Sequence, residues 1–185
     1  HPPVVKYPSV PEFEAGLKGQ TVEAVDRAAK YLLVRLSSGK TFAIQLITTG
    51  QLLMVDPAKP LRKSTRLVLD LEGGQQLRLA DSSRLARVYL LQEGEIDRVL
   101  PLKELGPEVI DDALTLDLFK RLLKPRRRQI KAVLLDQRVI AGMGNIYTDE
   151  ALFAARIHPL RLASGLSDEE LERLYAAIRR MMPEA

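Results

Sequence analysis

"VIAGMGNIYTDEALF", residues 139–153, decides how the second half of the chain is read. Gly142 and Gly144 have the spacing that opens a dinucleotide-binding loop, but the third glycine position is Tyr147. A ring there blocks the close strand–helix packing that the third glycine permits. The preceding "RQIKAVLLDQ" places Ile130, Val133, Leu134 and Gln137 at i, i+3, i+4 and i+7, the spacing of one helix face. Beyond the glycines, Thr148 is expected to cap a second helix, with Asp149 and Glu150 in its first turn where the helix dipole favours anions. The local order is helix, glycine turn, helix, and a nicotinamide or flavin loop is set aside.

The approach to this turn is basic. "LKPRRRQIK" carries Lys124, Arg126, Arg127, Arg128 and Lys131, which read either as a solvated helix entry or as a phosphate-contacting surface. Guanidinium forks suit bidentate phosphate binding, and each contact releases counterions. Glycines such as Gly144 let a phosphate approach the backbone closely, because no Cβ stands in the way. The N–H groups opening the next helix add positive potential, and Asn145 adds a neutral amide donor. Basic entry, glycine turn and helix start together have the features expected of a nucleic-acid grip.

Bulk composition narrows the alternatives. The 185 residues suffice for one domain or two small ones, 46% are hydrophobic, and the formal charge is +4 with a pI near 9.4. That charge is compatible with a polyanionic partner without requiring one. There are no cysteines and only two histidines, His1 and His158, so no disulfide, thiolate site or histidine-rich metal centre is expected. No apolar run approaches the ~20 residues of a membrane span, and a soluble cytoplasmic protein is expected. The sequence starts "HPPVVKYPSV" without methionine and stops at "RRMMPEA", which reads as a piece of something longer.

The first half reads as strands. "TVEAVDRAAKYLLVRLSSGKTFAIQLITTGQLLMV" holds short Val-, Leu-, Ile- and Thr-rich runs, and "SSGKTF" is a hairpin turn rather than a phosphate loop, since Val34 stands where that loop needs glycine. Gly73 and Gly74 turn a second hairpin flanked by Leu67, Leu69, Leu71, Leu77 and Leu79. A short helix, "PEFEAGLK", precedes the strands. Asp81 and Arg84 read as a turn with a local ion pair, Lys30 as an edge-strand lysine, and His158 as a helix-end cap. In the second half, "TLDLFKRLL" and "SDEELERLYAAIRRMM" are amphipathic helices, the latter opened by a Ser167–Glu170 capping box. Strands followed by helices predict an α+β chain: an antiparallel β-sandwich over residues 1–104, then a helical part over residues 105–185.

The block "IKAVLLDQRVIAGMGNIYTDEALFAARIHPLR" closely resembles the helix–two-turn–helix of the formamidopyrimidine-DNA glycosylase and endonuclease VIII family. "LGPE" at residues 105–108, "AAKYLL" around Lys30 and the D-x-x-R element of Asp81 and Arg84 match the same family in order. The resemblance implies an enzyme that binds damaged double-stranded DNA in a cleft, excises oxidised bases after turning them out of the stack, and cleaves the abasic site. In that family an N-terminal proline amine is the nucleophile and a neighbouring glutamate the acid/base.

Carried over residue by residue, Lys30 matches a strand lysine near the abasic-site phosphate with a proton-transfer role. Arg126 matches a basic residue on the DNA path, Lys131 and Asn145, beside Gly144, match groups that grip the phosphate flanking the lesion, and Arg84 matches an arginine of the intercalating loop. Thr48, Ser83 and Leu85 stand where the family has the groups that fill the gap left by the extruded base: a methionine, an arginine and an aromatic wedge. Ser64 replaces a DNA-contacting histidine. The family's Pro-Glu start is not matched, since Pro2 follows His1 in a different segment, and the isolated chain is expected to be inactive. No cofactor is expected in this chain; zinc belongs to a C-terminal finger of longer members. The expected state is a monomer in a bacterial cytoplasm. Two other readings stay open: a non-catalytic DNA- or RNA-binding module, and a structural α+β protein.

Overall fold

A computed structural model describes residues 4–182; the expectations resting on His1 and Pro2 lie outside the described residues. The chain divides into two compact units, His1–Leu100 and Pro101–Ala185.

The first unit holds β1 (Val5–Tyr7), α1 (Val10–Leu17), β2 (Val22–Ala28), β3 (Tyr31–Leu36), β4 (Thr41–Gln45), β5 (Gln51–Val55), β6 (Thr65–Asp70), β7 (Gln76–Ala80) and β8 (Arg87–Leu91). A five-stranded sheet has the order β1-β8-β4-β3-β2 and a three-stranded sheet the order β5-β7-β6. Alternation fixes which side chains face inward. Val34 lies opposite Phe42 and Phe42 opposite Leu90, while Ile44 lies opposite Leu32 and Val88. In the smaller sheet, Leu79 pairs with both Leu52 and Leu67. These rows share one core with Phe13, whose ring meets Phe42 edge-on at 5.7 Å. Each such buried side chain contributes about 1.5–3 kcal/mol.

The pairing is antiparallel except at one edge, where β1 runs parallel to β8. Three residues carry too little alternation to announce a strand. The turns after Ser38 and Glu72 fall where the glycines predict them, with Gly39, Gly73 and Gly74 at positive φ.

The second unit contains α2 (Leu116–Leu123), α3 (Ile130–Leu135), α4 (Asn145–Ala155) and α5 (Asp168–Met181). Its core gathers Phe119, Leu123, Ile130, Val133, Leu134, Met143, Leu152, Leu171, Leu174 and Ile178. The Ser167–Glu170 capping box is present, and Tyr175 packs against Phe119 while its hydroxyl donates to the Leu114 carbonyl at 2.8 Å. No helix among the described residues is long and apolar enough to cross a membrane.

Candidate nucleic-acid interface

The bend between α3 and α4 is built from behind by Gln137. Its amide accepts from the Gly142 N–H at 2.9 Å and donates to the carbonyls of Met143 and Leu135, both at 3.0 Å. Met143 is fully buried and anchors the turn, while Gly142 takes a φ of +94° that few other residues adopt without strain. The "LGPE" segment docks on the same bend: the Gly106 N–H donates to the Gln137 carbonyl, and the Val109 N–H to Ala141. Gly106 is needed there, since a Cβ would stand 2.3 Å from the Val139 carbonyl oxygen.

Helix α4 starts at Asn145 with Gly144 as its N-cap, earlier than expected. Thr148 therefore does not cap it. It sits inside the helix, fully buried, with no hydrogen-bond partner for its hydroxyl among the described residues. Asn145 is exposed at the first helical position, where N–H groups lack intrahelical acceptors. Lys131, from α3, reaches α4 and pairs with Asp149 at 2.7 Å. Asp149 stands one helical turn from Asn145 on the same face of α4, so the ion pair places Lys131 against the first two turns of that helix.

The other cations of the basic stretch are less free than their sequence suggests. Residues 124–129 form a connection between α2 and α3 rather than the entry of a helix. Lys124 pairs with Asp168, and Arg128 pairs with Asp136 at 2.9 Å. The Arg128 guanidinium holds the Asp136 carboxyl below the usual carboxylate range against the opposing effect of burial. Arg126 is half-buried and turns its Nε toward the Leu122 carbonyl. Three of the five cations thus carry a carboxylate partner.

In the first unit, two connections meet. The β4–β5 connection presents Thr48 on the surface, and the β7–β8 connection presents Arg84 and Leu85, the latter 49% exposed. Thr48 lines a shallow depression with Arg62, Ser64, Asp81 and Ser82, so Ser64 joins the same surface. The expected Asp81–Arg84 ion pair does not form. Asp81 is 1% exposed and accepts from the Leu85 and Ala86 N–H groups at 2.7 and 2.8 Å, from the Ser83 hydroxyl at 2.7 Å and from the Thr49 hydroxyl at 2.5 Å. Burial alone would raise its pKa; the Ala86, Thr49, Ser83 and Leu85 donors outweigh that and hold the carboxyl far below the ordinary range.

Lys30 sits in the turn between β2 and β3, after Ala29 at a φ of +51°. Lys30 is exposed at the surface, yet the protein packed around the turn still lowers its ammonium pKa by desolvation. Among the described residues, no hydrogen bond links it to the Thr48 or Ser83 connections. His158 lies beyond the helix end, which Arg156 closes in the left-handed conformation; its Nδ1 accepts from the Leu160 N–H instead.

Helices α3 and α4 and the bend between them hold Lys131, Gly144 and Asn145, and the two β connections hold Thr48, Ser83, Arg84 and Leu85. The roles of Gln137 as the brace of the bend, Asp149 as the partner of Lys131 and Thr49 as the link between the two β connections have no signal in the sequence. Only Asp81 carried a visible signal, since Asp followed by Ser-Ser favours carboxylate-to-backbone bonding.

Comparison with known proteins gives these groups a setting. The family model of the formamidopyrimidine-DNA glycosylase N-terminal domain matches residues 1–88, and that of the formamidopyrimidine-DNA glycosylase H2TH domain matches residues 105–185. The formamidopyrimidine-DNA glycosylase of Moorella thermoacetica is 43% identical over 182 residues, covering 98% of this chain and 66% of its own length. That of Bacillus cereus is 38% identical and is covered over 67% of its length. The chain thus spans about two thirds of the length of the curated relatives it matches. Among solved structures, the MutM (Fpg) protein of Thermus thermophilus is 40% identical with a TM-score of 0.78, covering 92% of this chain and 62% of that one. The Lactococcus lactis formamidopyrimidine-DNA glycosylase, solved non-covalently bound to DNA containing an AP site, is 26% identical with a TM-score of 0.82, covering 95% and 66%. The chain belongs to the formamidopyrimidine-DNA glycosylase family.

Proposed function

We propose that this chain is the greater part of a base-excision-repair DNA glycosylase and abasic-site lyase acting on oxidised bases in duplex DNA. The observation that carries the reading is a glycine bend braced by Gln137 that opens α4 at an exposed Asn145, with Lys131 held against the same helix through Asp149. A phosphate placed there would take N–H groups from the helix start, the Asn145 amide and the Lys131 ammonium. Solved complexes of the Lactococcus lactis relative with abasic-site DNA support the choice of partner.

The other residues take roles in that frame. The helical part, residues 105–185, supplies the phosphate grip, with Arg126 along the DNA path. The strand part, residues 1–104, supplies Thr48, Ser83 and Leu85 to the space left by the extruded base, with Arg84 beside them. Leu85 acts as the wedge, since an apolar side chain between base steps offsets part of the unstacking cost. Lys30 serves proton transfer near the abasic-site phosphate, and its lowered pKa eases release of that proton. Zinc is assigned to no residue here, since the chain has no cysteine; it would belong to a C-terminal finger of longer family members. The protein works as a monomer in the bacterial cytoplasm.

A second reading, a nucleic-acid-binding module without chemistry, draws on Thr48 and Ser83, which are smaller than the groups they replace, and on the paired cations of residues 124–131. Fluorescence anisotropy of the 185-residue chain on duplexes with and without an abasic-site analogue separates the two. The repair reading expects tighter binding to the abasic duplex, and no borohydride-trapped adduct if no amine among these residues is the nucleophile. Equal affinity for both duplexes favours the module, and absence of binding to either overturns both.

A further inference from the structure

We propose that Thr49 and Asp81 form a clamp that joins the two base-gap connections into a single preorganised wedge, making Thr49 a positioning residue for lesion recognition; this rests on the reading above. The Thr49 hydroxyl uses its whole bonding capacity across the gap between two separate chain segments. It donates to Asp81 Oδ1 at 2.5 Å and accepts from the Ser82 hydroxyl at 3.1 Å and the Ser83 N–H at 2.9 Å. One proton and two lone pairs are all a hydroxyl has. Asp81, in turn, gathers the backbone from Ser83 to Ala86 around its two oxygens.

The two connections that these bonds join also carry uncommon backbone conformations. Ile47, just ahead of Thr48, has a φ of +60°, and Arg84, between Ser83 and Leu85, has a φ of +58°. Neither is glycine, and a β-branched residue in the left-handed region is strained. Gly50 closes the first connection so tightly that a Cβ would stand 2.4 Å from the Leu46 carbonyl oxygen. Strain at both connections, with polar bonds running between them to a buried Asp81, marks a geometry that is enforced. Its effect is that Thr48 and Leu85 are presented together, so little conformational freedom remains to be lost when they enter a base gap.

The test compares wild-type chain, Thr49→Val and Thr49→Ser on a duplex carrying an abasic-site analogue with 2-aminopurine in the opposite strand, and on the undamaged duplex. Loss of the hydroxyl is expected to weaken binding to the abasic duplex by about three- to tenfold and to reduce the 2-aminopurine fluorescence rise. Affinity for the undamaged duplex, set by phosphate contacts, stays within about twofold. Thr49→Ser restores both signals. If Thr49→Val matches wild type on the abasic duplex, the clamp has no part in recognition and the proposal fails. It fails equally if both affinities fall together with the melting temperature, since Thr49 is then structural only. A wild-type chain that binds neither duplex overturns the functional reading itself.

Discussion

The α3–α4 bend and the Thr49–Asp81 junction use polar groups in opposite ways. At the bend the charged pair is open to water, with Lys131 34% and Asp149 53% exposed at the side chain. At the junction Asp81 is 1% exposed and satisfied by donors from Thr49, Ser83, Leu85 and Ala86. Exposed pairs are worth ~0–1 kcal/mol and are easily exchanged for another anion. Buried bonds to a charge are not exchanged, and removing one partner leaves the others unsatisfied. In the proposed function the bend gives up its internal contact to the nucleic acid, whereas the junction keeps its shape.

The comparison can be broken first at the junction. Asp81→Asn should destabilise the chain by about 2–4 kcal/mol, read from thermal melting at pH 7, because an amide cannot accept every bond the carboxylate takes. The pH dependence carries the same signature. A carboxyl whose folded pKa is depressed adds stability above its unfolded value and loses it as pH falls toward the folded one. The wild-type melting temperature should therefore drop below about pH 4, and the Asp81→Asn variant should show a shallower drop. An equal slope in both proteins would remove Asp81 from the account.

A smaller effect is expected from the strain beside the junction. Ile47→Gly relieves a left-handed β-branched residue and should raise stability by about 1 kcal/mol if the side chain, 47% exposed, contributes little packing. Urea unfolding would check this, and a loss of stability would mean that Ile47 is held by contacts worth more than its strain. The smallest change belongs to the bend. Asp149→Asn frees Lys131 and removes a negative charge near the helix start, so duplex affinity should rise about two- to threefold at low salt. A fall in affinity would show that Asp149 orients Lys131 rather than competing with the ligand.

The two regions also differ in how far they could be read from residues. Helices α2 and α5 were legible because Phe119 and Leu123, or Leu171, Leu174 and Ile178, repeat at helical spacing and carry capping signals. The hairpin turns were legible because Gly39, Gly73 and Gly74 supply the φ they need. The start of α4 was misplaced because Thr148-Asp149-Glu150 imitates a capping sequence, whereas the helix is opened by Gly144, whose lack of a side chain leaves no signal. The basic stretch looked freer than it is because a run of cations does not reveal Asp136, Asp149 or Asp168 across the fold. Asp81 looks in sequence like half of a local ion pair because its real partners include Thr49, distant in sequence and polar only at one atom.

The measurement that bears most directly on the central claim is the salt dependence of duplex binding for wild-type chain and Lys131→Ala/Asn145→Ala. If the bend clasps a phosphate, log affinity should fall linearly with log salt concentration, and the double variant should bind more weakly with a slope smaller by about one while melting at nearly the same temperature. Identical slopes and affinities for the two proteins would contradict the claim that this bend grips the nucleic-acid backbone.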